Sequence, residues 1–109
     1  MSLVLSRSYP DDPIQANREH FWRVTSEGVY VGSIVYQAWQ HSAVWHWTIQ
    51  VHDPCSDLGK QGVAQTRDDA MKQFRSAWDT YRTWLGDERW LQWIRHMELV
   101  DARAGKGRY

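Results

Sequence analysis

Apolar and polar residues alternate along residues 43–52. Trp45, Trp47, Ile49 and Val51 fall on one side, and His46, Thr48, Gln50 and His52 fall on the other. Successive strand residues point to opposite faces, so the pattern predicts a strand with one dry face and one wetter face. Further along, the apolar residues at 70, 71, 74, 77, 78, 81, 84 and 85 recur at helical spacing. At about 100° per residue they form a single stripe roughly 140° wide, with no charge in it from Ala70 to Leu85. The spacing predicts a helix over 67–85. The opposite face carries Lys72, Arg75, Asp79 and Arg82, with Asp68–Lys72 and Arg75–Asp79 placed as i,i+4 pairs. Thr66 stands where an N-cap belongs and Asp69 follows three residues later. Asp68 and Asp69 also complement the positive end of the helix dipole.

The flanking segments are read from their punctuation. Residues 21–25 and 29–37 are rich in aromatic and β-branched side chains, and Ser26-Glu27-Gly28 between them predicts a hairpin turn. Residues 38–42 read as a polar loop holding Trp39 and His41, and 53–61 as a second loop. Residues 62–65 read as a short further strand. Gly86 ends the long helix, Asp87 caps the next, and 88–98 form a second helix with Trp90, Leu91, Trp93, Ile94 and Met97 on its apolar side. Residues 1–19 are weakly specified. Leu3-Val4-Leu5 suits an edge strand or an arm, and Pro10-Asp11-Asp12-Pro13 breaks any strand. The expected organisation is a leader or arm over 1–19, one α+β domain over 20–100, and a flexible basic tail over 101–109. The expected fold is an antiparallel three- to four-stranded sheet packed on one long helix, with a second C-terminal helix.

Composition changes this picture in one respect. The chain of 109 residues has equal numbers of basic and acidic side chains, 13 of each, so it lacks the excess of Lys and Arg that phosphate-backbone binding draws on. A single cysteine, Cys55, precludes an intrachain disulfide and fits a reducing, cytoplasmic setting. No apolar run is long enough to suggest a membrane span or a signal peptide. The eight tryptophans are the departure from the ordinary. So many large rings are difficult to bury fully in a domain of this size, and some are expected at a surface or an interface.

The order Trp45-x-Trp47-x-Ile49, then Gly62-x-Ala64-x-Thr66-x-x-x-Ala70-x-x-x-Phe74-x-x-Ala77-Trp78, resembles a group of short, functionally uncharacterised bacterial proteins. The resemblance covers roughly residues 20–82 and implies an antiparallel sheet with a helix packed across it, with no activity attached. A more distant likeness is to plant-type AP2 domains and the DNA-binding arms of integrases. There a three-stranded sheet precedes a similar helix, and the sheet face reads DNA with arginines and tryptophans. The matching face of this chain's 43–52 strand offers His46, Thr48, Gln50 and His52 and no arginine.

Catalytic and metal chemistry finds little to build on. His46 and His52 share a face but lie about 20 Å apart along a strand, too far to hold one ion. His52, Asp53, Cys55 and Asp57 match no zinc spacing and read as a polar loop. Cys55 has acidic neighbours, which disfavour a thiolate. No phosphate-binding glycine loop is present. No catalytic constellation and no cofactor is expected. Trp45, Trp47, Phe74 and Trp78 are assigned to the core, joined by Trp22 and Tyr81. Trp39, Trp84, Trp90 and Trp93 are left over: either the second helix folds back and buries them within the chain, or they form the candidate interaction surface of a self-associating, non-enzymatic module, cheapest as a homodimer. The alternative is nucleic-acid binding through His46, Thr48, Gln50 and His52, with Lys106 and Arg108 adding charge.

Overall fold

A computed structural model describes residues 3–39, 42–51 and 59–108. Its elements are β1 (Leu3–Arg7), α1 (Gln15–His20), β2 (Phe21–Ser26), β3 (Val29–Trp39), β4 (Ser42–Ile49), β5 (Gln61–Ala64) and α2 (Arg67–Arg108). The strands form one antiparallel sheet in sequence order, β1-β2-β3-β4-β5. The sheet therefore has five strands rather than three or four. The additional one is Leu3–Arg7, which pairs along β2 from Leu3↔Ser26 to Arg7↔Trp22. The short helix α1 is also unannounced by the residues that form it. It is six residues long, has no side-chain cap and buries nothing.

The β2–β3 hairpin turns where expected. Glu27 and Gly28 both have positive φ, 55° and 77°, as a two-residue turn matched to strand twist requires. Residues 38–42 differ from expectation: Ala38 and Trp39 continue β3, and Trp39 pairs with Ser42 of β4. The β3–β4 ladder thus continues through Gln37↔Val44 and Ala38↔Ala43 to the Trp39↔Ser42 pair. His41 lies outside the described residues.

Strand register decides which side chains share a face. Val24, Gly32, Ile34, Trp47 and Ile49 line up across the sheet under α2. Between Val24 and Thr25 the register shifts, leaving Val31 unpaired on β3. Val31 is fully buried. From above, α2 contributes Ala70, Phe74, Trp78, Tyr81 and Leu85, all buried. Thr66 caps the helix as its position predicts, Oγ1 accepting from the Asp69 N–H at 3.1 Å.

α2 is divided at Gly86, which has φ 81° and ψ 164° and lies outside helical geometry. The first part, 67–85, crosses the sheet. The second, 87–108, turns back over the β2–β3 end. The Trp90 indole donates to Glu27 Oε2 at 3.0 Å and the Trp93 indole to the Tyr30 carbonyl at 2.8 Å. An Arg82–Asp87 ion pair at 2.8 Å spans the break, but with Asp87 almost fully exposed it contributes little. Residues 101–108 continue the helix, where a flexible tail is expected from composition. No helix among the described residues is long and apolar enough to cross a membrane.

The backbone at Gly86 suits glycine alone. A Cβ there would meet nothing within 4 Å, so any cost of replacement is conformational rather than steric. Gly86→Ala is expected to lower stability by about 1–3 kcal/mol, the strain of a side chain in this region. Thermal melting followed by circular dichroism measures it, and an unchanged midpoint contradicts the assignment of the break to glycine.

Candidate functional site

The four leftover tryptophans have different fates. Trp90 and Trp93 are 4% and 8% exposed and belong to the chain's own core. The reason is the break at Gly86, which folds the second part of α2 back onto the hairpin and gives each indole N–H an acceptor. Trp84 alone of the described ones is on the surface, 41% exposed, with its ring beside Tyr81 and under the Arg89 guanidinium. The side chain of Trp39 lies outside the described residues. The described members of this set therefore do not form one apolar surface patch. Trp84 also breaks the helical stripe, which is otherwise buried or half-buried from Ala70 to Leu85.

The second predicted surface is the sheet face turned away from α2. The strand pairings bring Phe21, Val35, His46 and Val63 into one row, and Arg23, Ser33, Thr48 and Gln61 into the next. His46 and Thr48 are half-buried and Gln50 is exposed; His52 lies outside the described residues. Among the described residues, no side chain of the two rows is fully buried. Tyr9 sits edge-on to Phe21 at 5.6 Å. Tyr30 donates to Gln50 and lies under the Arg23 guanidinium, 5.4 Å from its ring centroid. Burial pushes the Tyr30 pKa up, opposed by a Ser33 hydrogen bond and the Arg23 charge, so the hydroxyl keeps its proton as a donor. Arg23 is the one arginine that the strand registers put on this face. It comes from β2, which is why 43–52 alone showed none.

A third feature was not foreseen. Where α2 begins, the inner sheet face is left uncovered and opens into a cleft of about 430 Å³. Its floor and wall are Trp22 and Trp45, with His20 from the end of α1. The Trp22 indole donates to the Glu19 carbonyl at 2.6 Å, which fixes the ring. His20 stacks on Tyr36 at 4.3 Å and stands edge-on to Trp45 at 6.3 Å. Arg67 and Arg7 approach the Trp22 ring at 4.3 and 5.5 Å. Trp22 and Trp45 are thus half-buried edges of the core, packed against it rather than inside it.

Among the described residues no group of three or more His, Cys, Asp or Glu side chains is placed to hold a metal ion. Cys55, Asp53 and Asp57 lie outside them, as do the side chains of Lys106 and Arg108. Comparison with protein families, curated proteins and solved structures finds no match to this chain.

Proposed function

We propose that this protein is a non-catalytic interaction module that pairs with a second copy of itself through the uncovered sheet face. The observation that carries this reading is the chemistry of that face. The chain is 24% charged, yet the rows Phe21–Val35–His46–Val63 and Arg23–Ser33–Thr48–Gln61 contain a single permanent charge. Interface centres are depleted in charge and enriched in aromatic side chains, and Phe21, Tyr30 and Tyr9 supply the latter. Size also fits. Strands about 4.8 Å apart and six residues long make a footprint of roughly 500 Å² for five strands. That matches the small, transient class of interface, which buries less than about 600 Å² on each partner.

Two such faces stacked about a two-fold axis bury both copies at once, as in a β-sandwich. The partner is thus a second sheet rather than nucleic acid, for which one arginine and a zero formal net charge supply little attraction. Sedimentation equilibrium is the test. The average mass is expected to rise from 12.9 kDa towards twice that with increasing concentration. Val35→Glu places a charge in the middle of the face and is expected to hold the protein at monomer mass with its circular dichroism unchanged. A wild-type protein that stays monomeric at millimolar concentration overturns the reading.

A further inference from the structure

The cleft at the start of α2 lies on the other side of the sheet from the proposed pairing face. Its lining combines aromatic walls with four charged groups. Arg7 and Arg67 supply two cations, and Glu19 and Asp68 two carboxylates. Groups of opposite charge this close ordinarily pair, but no ion pair joins any of the four among the described residues. The guanidinium groups are held against the Trp22 ring instead. Arg67 Nε is sealed from solvent with no hydrogen-bond acceptor. Contact with an aromatic face leaves the terminal NH2 donors of a guanidinium available, and these match a carboxylate two bonds at a time. Of the acids, Glu19 accepts one bond from Gln15 and keeps further lone pairs.

We propose that this cleft binds a small zwitterion bearing a planar ring, of the aromatic amino-acid class. The ligand's carboxylate meets Arg7 and Arg67, its ammonium group meets Glu19 or Asp68, and its ring lies against Trp45 and His20. A ligand of one sign is served less well, because half of the lining repels it. The volume is within the usual range for small-molecule sites, which runs from about 300 to 1,000 Å³. Trp45 and His20 are already set at an angle by Tyr36, 5.3 Å from Trp45, so the walls need no rearrangement to receive a ring.

The test is a titration followed by two-dimensional NMR, reading the indole N–H signals of Trp22 and Trp45. Three probes are used: L-phenylalanine, phenylacetate, which keeps only the negative charge, and phenethylamine, which keeps only the positive one. L-phenylalanine is expected to shift both signals saturably and to bind at least about tenfold tighter than either relative, a difference readily resolved at millimolar affinity. Arg67→Met retains a stem over Trp22 and removes the charge. In that variant, with signal dispersion confirming the fold, L-phenylalanine is expected to bind no better than phenethylamine. The inference is overturned by any of three results: no saturable shift with L-phenylalanine, a single-charge relative that binds as tightly, or undiminished binding by Arg67→Met.

Discussion

Gly32→Ala is expected to destabilise the protein by about 3 kcal/mol or more, at the upper end of what overpacking costs. A Cβ at this position would run into the Thr48 backbone carbonyl and would stand 2.7 Å from Cε2 and 2.8 Å from Cζ of Phe74. Neither neighbour can move away. Thr48 belongs to the β3–β4 ladder. Phe74 is fully buried and set against Trp47 at 6.0 Å. α2 rides closely over β3 at this point, and a single methyl group would lift it. Urea denaturation measures the effect as a large fall in midpoint at unchanged slope. A variant of near-wild-type stability contradicts this close approach of helix to sheet.

Trp78→Ala is expected to cost about 3–5 kcal/mol, the usual range for emptying a buried aromatic site. Trp78 is fully buried at the junction of both parts of α2 and the sheet, with ring centroids 6.0 Å from Tyr81 and 5.6 Å from Trp90. Removing it opens a cavity against residues of both helical parts. For a domain whose net stability is typically 5–15 kcal/mol, that is a large share. Trp78→Phe is expected to be far milder. It keeps most of the ring and deletes an indole N–H that is buried with no hydrogen-bond partner. Denaturation of the two variants side by side checks both the size and the order of the effects, and equal losses contradict the reading.

The parts of this fold that could be read from the residues are those whose signals are local. The alternation through Trp45, Trp47 and Ile49, the Glu27-Gly28 turn, the Thr66 cap and the break at Gly86 each depend on a few adjacent positions. What escaped depends on distant partners. Leu3–Arg7 reads equally as an edge strand or an arm, and only its pairing with β2 decides between them. The need for glycine at position 32 depends on Phe74, which α2 places above it from far along the chain. Trp90 and Trp93 read as surplus because their acceptors, Glu27 and Tyr30, are far away in the chain. The cleft draws on residues from β1, α1, β2, β4 and the start of α2. Its two arginines carry no motif, so nothing in their spacing marks them as neighbours.

The strand order also bears on how the chain folds. In a sheet that runs β1-β2-β3-β4-β5, every pairing joins neighbours in sequence, which keeps the entropic cost of closing each one low. The two indole hydrogen bonds of α2 are the exception, since each bridges 63 residues. They tie the second part of α2 to the β2–β3 hairpin. Each closes a far longer loop than any strand pairing, so docking of Trp90 and Trp93 is expected to come late in folding.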